Sequence, residues 1–160
     1  SMVKLTKQPN ALPQIREGLS KRQVAQLVEN SVEEILEEGG AERVAEALAV
    51  MDEFIKGVRK DERFIDTLRD ELMKHHGLIK TTSGARIELC EAGVMYDYSA
   101  NGSWRHIDEQ IKALTEQKKE LEEKLKSIPA GKEMVDPETG EILTGAFKSS
   151  KSTYKITLSR

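Results

Sequence analysis

The side chains that could act as a nucleophile or a base are few and widely separated. Cys90 is the only cysteine of the 160 residues, and the three histidines are His75, His76 and His106. A thiolate held against an imidazole in a shaped pocket would support nucleophilic catalysis, but no sequence signature of a thiol enzyme surrounds Cys90. A cysteine on one face of a half-buried strand ordinarily serves as a small apolar side chain. We therefore predict no catalytic residue.

Metal binding and carboxylate chemistry form the second group of possibilities. His75 and His76 are adjacent, so on a helix their side chains would point about 100° apart. The cysteines or carboxylates of a zinc pattern are missing around them. The glutamates at 33–34 and 37–38 fall on the polar face of a predicted helix, where such residues are ordinarily solvated. Since the chain also lacks a phosphate-binding glycine loop and a nucleophile elbow, we expect no metal, no cofactor and no enzymatic activity.

Basic residues near the end of the sequence leave nucleic-acid binding open. The net charge is −3 and both signs are mixed along the chain, so there is no global field that would attract phosphates. Near the end of the sequence, however, Tyr154 lies among four basic residues, Lys148, Lys151, Lys155 and Arg160. Cations beside an aromatic ring are typical of phosphate and base contacts. A DNA-associated protein that touches phosphates through these four residues is therefore the alternative prediction.

A heptad repeat is the most regular feature of the chain. Its positions alternate in steps of four and three residues, and they are Ile107, Ile111, Leu114, Lys118, Leu121, Leu125 and Ile128. Apolar side chains spaced every 3.5 residues form a narrow stripe that must pack against another helix or against the rest of the chain. Lys118 at a core position costs stability, but such a residue can fix the register or the number of chains. This set, the heptad stripe, is the predicted oligomer or partner interface.

The sequence before the heptad helix predicts an N-terminal helical unit and a central hairpin. Residues 1–19 read as an extended arm, and three amphipathic runs within 20–77 predict a three-helix unit that begins with a capping box formed by Ser20 and Gln23. In 78–102 the apolar period changes to two. The alternation before and after Gly93 predicts a β-hairpin with its loop at that glycine.

The elements from the heptad helix onward complete an α+β fold. Ser103 is the predicted N-cap of a coiled-coil helix over 103–128, which Pro129 ends. In 129–160 the turn sequence 136–140 predicts a second hairpin. Alternation over 153–158 then predicts a final strand that would join a sheet of this chain or of another copy.

Composition narrows the class of protein further. The chain is 38% apolar and 33% charged but only 4% aromatic, a balance typical of helix-rich proteins with a modest core. Enzymes with deep pockets usually contain more aromatic residues. One cysteine excludes an intrachain disulfide, and no secretory or membrane-spanning apolar run is present. We predict a cytoplasmic protein that does not enter a membrane.

The segment from Gly84 to Leu158 carries a resemblance. It contains, in order, GARIELCEAGVMYDYS, a polar turn, the heptad helix, VDPETGEIL and KSTYKITL. In this order it resembles a group of uncharacterised proteins encoded by phages, prophages and other bacterial mobile elements, although the turn at 101–103 is Asn-Gly-Ser where a Gly-Asp-Pro-like turn is usual. The layout is also loosely similar to phage proteins that inhibit host nucleases or confer phage resistance.

The resemblance implies a function without carrying any catalytic residue across. It suggests a mobile-element accessory protein that binds a host or phage protein, such as a defence or nuclease component. Together with the heptad stripe, it predicts a non-enzymatic protein that acts by oligomerisation and partner binding. Packing of the heptad helix within its own chain remains open beside assembly between chains.

Overall fold

A computed structural model describes Pro9 and residues 11–160, which fold into helices and two short antiparallel hairpins. The elements are α1 (Lys21–Glu38), α2 (Ala41–Lys60), α3 (Glu62–Lys74), β1 (Leu78–Lys80), β2 (Arg86–Glu88), α4 (Gly102–Ser127), β3 (Glu133–Val135) and β4 (Ile142–Thr144). The predicted α+β class is confirmed. Residues 1–8 and 10 of the predicted arm lie outside the described residues, and residues 11–19 contain neither helix nor strand.

The chain divides into two compact units. The first comprises the described residues up to Ala92 together with Tyr154–Arg160, and the second is Gly93–Thr153. The predicted segment 129–160 is therefore split, because its last seven residues belong with the N-terminal helices. Each unit has a small core: among the described residues, the buried apolar side chains are Val44 and Leu72 in the first unit and Ile128 and Leu143 in the second.

The first unit begins with the predicted capping box. The Gln23 backbone N–H donates to Ser20 Oγ at 3.2 Å, and the Ser20 N–H donates to Gln23 Oε1 at 2.8 Å. This reciprocal pair satisfies two amides that the first turn of α1 leaves without a helical partner. Asp61 is the N-cap of α3, and its Oδ1 accepts the Arg63 N–H at 2.9 Å. The predicted capping box at the start of α1 is confirmed.

The first hairpin differs from the prediction in its partner strand. β2 lies where the alternation placed a strand, but it pairs with β1, so that Ile79 is opposite Ile87. Residues 94–98 form no strand. The chain leaves α3 through Gly77, whose φ of 83° is left-handed, and the Leu89 N–H donates to the Gly77 carbonyl at 2.9 Å. The end of α3 therefore brings β1 beside β2 before residues 94–98 are reached.

The second unit is built on α4, a helix of 26 residues. Its N-cap is Asn101, whose Oδ1 accepts the Trp104 N–H at 2.9 Å, and the prediction of Ser103 as the cap is wrong because Ser103 already lies inside the first turn. The helix ends at Ser127. Ile128 has extended dihedral angles, and Pro129, which follows it, has no amide hydrogen to continue the helical pattern.

The second hairpin is where the sequence predicted it. β3 and β4 pair antiparallel with Met134 opposite Leu143, and the turn closes when the Asp136 N–H donates to the Glu141 carbonyl at 2.8 Å. After β4 the chain returns to the helix, since the Ala146 N–H donates to the Leu125 carbonyl at 3.1 Å. A Cβ on Gly145 would lie only 2.7 Å from the Ile128 carbonyl oxygen, so this close approach requires glycine.

The predicted final strand is absent from the described residues 153–158. Tyr154–Arg160 belongs to the first unit, where Ile156 and Leu158 line a groove with Val44 and Leu48 of α2. Ile156 is half-buried there. This segment therefore borders helices of the first unit and pairs with no strand among the described residues.

Candidate functional site

Four apolar side chains of the heptad stripe are exposed on α4. The exposed fractions are 54% for Ile107, 55% for Ile111, 63% for Leu114 and 39% for Leu121. Residues three and four apart lie on the same face of a helix, so these side chains form one row about 21 Å long at 1.5 Å per residue. An apolar row of this length in contact with water is typical of an interaction surface.

Trp104 extends this row by one position, and sequence reasoning missed it. It precedes Ile107 by three residues, which is the heptad spacing and was the available signal. Its side chain is 40% exposed, and its ring centroid is 6.0 Å from that of Tyr98. Tyr98 in turn lies 6.2 Å from the ring of Tyr96. The N-terminal end of the stripe therefore carries a small aromatic cluster.

The C-terminal end of the heptad stripe has a different environment. Leu125 is half-buried, and Ile128 is only 5% exposed beside Leu143 of β4, which is 6% exposed. Ile128 follows the last helical residue instead of lying within the helix. Its assignment to an interface between chains is corrected accordingly: the β3–β4 hairpin of its own chain covers it.

Charged residues form ion pairs along the exposed part of α4. Lys118 Nζ lies 3.7 Å from Glu122 Oε1, and Lys112 Nζ lies 2.9 Å from Asp108 Oδ2. The hydrogen bond that the Lys112 ammonium donates to Asp108 raises the pKa of Lys112. The Lys118 side chain is 77% exposed, so it extends from the stripe into water in the single chain.

Lys124 joins the end of α4 to the turn of the second hairpin. Its Nζ lies 3.1 Å from Asp136 Oδ2 and 3.4 Å from Glu138 Oε2. The hydrogen bond to Asp136 is the main cause that raises the pKa of Lys124. The pKa of Asp136 is lowered, first by the backbone N–H of Glu138 and then by Lys124. This pair stabilises the local structure that covers Ile128.

The structure places the four predicted phosphate-contacting residues on the surface but in different units. Lys148 and Lys151 belong to the second unit, whereas Lys155 and Arg160 belong to the first. All four are exposed, and so is Tyr154 among them, at 76%.

The residues with chemical reactivity do not form a recognisable site. Cys90 is exposed and lies beyond the end of β2, so the expectation of a half-buried strand position is wrong. It borders a shallow depression together with Asp66, Arg69 and Met73. Within the part of the chain that the structure describes, no cluster of three or more histidine, cysteine or acidic residues is arranged to hold a metal ion.

Comparison of the chain with protein-family models, with curated proteins and with solved structures gives no match. A search of the described helices also finds none that is long and apolar enough to cross a bilayer. Function must therefore be inferred from the chain's own surfaces, one of which is the row of exposed apolar side chains along α4.

Proposed function

We propose that the protein is a non-enzymatic binding protein that assembles through the exposed part of the heptad stripe. The observation that supports this proposal is the row of apolar side chains from Ile107 to Leu121, each at least 39% exposed. Full burial of a leucine or isoleucine side chain contributes about 1.5–3 kcal/mol relative to exposure. A helix that leaves several such side chains in water therefore gains stability from a second helix laid along it.

The second unit offers little cover for this row. Its hairpin lies at Leu125 and Ile128, at one end of α4, and Trp104 contacts Tyr98 at the other. Between these ends, Ile107, Ile111, Leu114 and Leu121 are 39% to 63% exposed. A second helix laid along α4 would bury these side chains.

The resemblance of Gly84 to Leu158 to mobile-element proteins extends the proposal to a biological setting. That segment contains the whole heptad stripe, so the proposed relationship includes the assembling helix. In this setting the oligomer acts in the cytoplasm as an accessory protein of a phage or mobile element. It presents its N-terminal helices or its C-terminal segment to a host or phage protein.

Light scattering over a dilution series tests the proposal. The wild-type chain should show a multiple of 18.0 kDa, and a variant carrying Leu114→Asp and Leu121→Asp should be a folded monomer. A matched control carries His106→Asp and Lys119→Asp, which add acidic groups on α4 away from the stripe, and should keep the wild-type mass. A wild-type mass of 18.0 kDa at every concentration, or an unchanged mass in the folded stripe variant, would overturn the proposal.

Contact with nucleic-acid phosphates is a second candidate function. The observation in its favour is that no acidic residue follows Glu141, while Lys148, Lys151, Lys155 and Arg160 are all exposed. Neutralised phosphates release counterions, so affinity should fall steeply with salt, and replacing the four cations by glutamine should flatten that dependence. Fluorescence anisotropy with labelled DNA and RNA measures both, and salt-independent binding would argue against this function.

A further inference from the structure

We infer that the partner of α4 is a second copy of α4 in antiparallel orientation, with Lys118 beside the partner's Asp108. This inference rests on the proposed function, because it specifies the occupant and the geometry of the same stripe. It follows from the heptad positions, the extent of the exposed row and the charges that flank it.

The spacing of the stripe fixes the heptad positions. The two core positions of a heptad, a and d, are separated by three residues from a to d and by four from d to the next a. The step of four from Ile107 to Ile111 makes Ile107 a d residue and Ile111 an a residue. The exposed a residues are then Trp104, Ile111 and Lys118, and the exposed d residues are Ile107, Leu114 and Leu121.

A parallel pair in register would be unfavourable at Lys118. In that arrangement each a residue faces its own counterpart, so two ammonium groups would meet within the apolar core. The neighbouring side chains offer no compensation, because a parallel pair sets g residues against e residues of the partner. Here those contacts would be Gln110 with the partner's Thr115 and Gln117 with the partner's Glu122, and neither joins a base to an acid.

In an antiparallel pair, a residues face d residues, and the extent of the exposed row selects the register. Leu125 is half-buried and Ile128 is covered by the hairpin, so the available residues run from Trp104 to Leu121. Symmetric overlap of this part alone produces three kinds of core contact. They are Trp104 with the partner's Leu121, Ile107 with the partner's Lys118, and Ile111 with the partner's Leu114.

This register also makes the charges complementary. Asp108 occupies the e position next to Ile107, and an a residue such as Lys118 lies close to the e side of its helix. Because e residues face e residues in an antiparallel pair, the Lys118 ammonium can extend from the core to the partner's Asp108. Two-fold symmetry makes this contact twice. The remaining flanking contacts, such as Gln110 with the partner's Gln117, place no like charges together.

The alternative antiparallel register, which overlaps the full stripe, lacks this complementarity. It would bring Asp108 close to the partner's Glu122, and it would set Trp104 against the partner's Ile128, which the hairpin already buries. The intrachain pairs that the favoured register perturbs are Lys118 with Glu122 and Asp108 with Lys112, both between residues four apart on an exposed helix. Such pairs contribute little, so exchanging them for a contact at the interface costs little.

Disulfide trapping tests the geometry directly. In a Cys90→Ser background, which removes the exposed native thiol, Ile107→Cys and Lys118→Cys variants with different tags are mixed, unfolded, refolded and oxidised. The inference predicts disulfides between position 107 of one chain and position 118 of the other. Identical positions lie eleven residues apart along the pair, about 16 Å, which exceeds the Cα separation that a disulfide spans.

Each outcome of the trapping experiment is decisive. Disulfides between identical positions would establish a parallel pair and overturn the inference while leaving assembly through α4 intact. A dimeric mass without either disulfide would overturn the register and also leave the proposed function intact. A monomeric mass before oxidation would overturn both.

A charge reversal provides a second, independent measurement. Asp108→Lys should weaken the dimer about tenfold because it places two ammonium groups together at each of the two contacts. Glu109→Lys makes the same change in charge at the next position, which faces away from the stripe, and should leave the dissociation constant within about twofold. Equal effects of the two variants in analytical ultracentrifugation would overturn the contact with Lys118.

Discussion

The two ends of the heptad stripe follow the same pattern and have opposite environments. Leu114 is 63% exposed, whereas Ile128, two heptads further along, is 5% exposed beneath the β3–β4 hairpin. The difference comes from the chain that follows the helix: Pro129 ends α4, and the Ala146 N–H returns to the Leu125 carbonyl. Periodicity therefore identifies the side chains that require a neighbour, while the adjoining chain decides whether that neighbour is its own.

Truncating one apolar side chain at each end of the heptad stripe tests this difference in environment. Ile128→Ala should lower the free energy of unfolding of the second unit by about 2–5 kcal/mol, since it creates a cavity beside Leu143. Leu114→Ala should change the stability of the monomer by less than about 0.5 kcal/mol, because its side chain is already in water. Chemical denaturation at low protein concentration measures both.

The effects of Leu114→Ala and Ile128→Ala should depend differently on protein concentration. Dimerisation stabilises the folded chain by mass action, so the effect of Leu114→Ala should grow as the concentration rises, whereas that of Ile128→Ala should be present throughout. Equal losses for the two variants at low concentration would mean that Leu114 is covered within its own chain.

The two hairpins explain how much of the fold could be predicted from the sequence. The second was predicted correctly because residues 136–140 encode a specific turn, in which Asp136 Oδ1 accepts the Glu138 N–H at 2.9 Å. The first was assigned the wrong partner because alternation exists on both sides of Gly93, and the choice between neighbours was made by the end of α3. The Gly77 carbonyl accepts the Leu89 N–H, a contact that no local pattern encodes.

The sequence predicted which residues of α4 share one face, but it could not predict where the exposed part of that face ends. Ile107, Ile111, Leu114 and Leu121 lie on one exposed helical face, as the heptad spacing predicts. The loss of Ile128 from that face depends on how the hairpin returns to the helix, which is a tertiary effect. Trp104, by contrast, could have been predicted as part of the stripe, because it precedes Ile107 by the heptad spacing of three residues.

The N-terminal end of α4 depends on its cap instead of a covering hairpin. Asn101→Ala should destabilise the second unit by about 1 kcal/mol, because the Trp104 N–H loses the Asn101 oxygen at the start of the helix. Ser103→Ala is the matched control and should have almost no effect, since Ser103 lies inside the helix and is exposed. Thermal unfolding followed by circular dichroism compares the two, and a larger loss for Ser103→Ala would reverse the assignment of the cap.

The stability of the second unit should depend on pH through the contact of Asp136 with Lys124 at the C-terminal end of α4. The backbone N–H of Glu138 and the Lys124 ammonium hold the pKa of Asp136 below its ordinary value of 3.8. A group whose pKa is lowered by folding stabilises the folded state fully above its ordinary value, and this stabilisation is lost as the pH falls through the lowered pKa.

The loss should therefore occur below pH 3.8 and should expose Ile128 as the hairpin loosens. The pKa of Lys124 is raised from 10.5, so its contribution is complete below that value and is lost only as the pH rises through the raised pKa. An NMR titration of the Asp136 carboxyl carbon should have its midpoint below 3.8, and Lys124→Met should move that midpoint upward. A midpoint unchanged by Lys124→Met would assign the lowered pKa of Asp136 to the turn amide alone, and the hairpin would then cover Ile128 without help from a charge on α4.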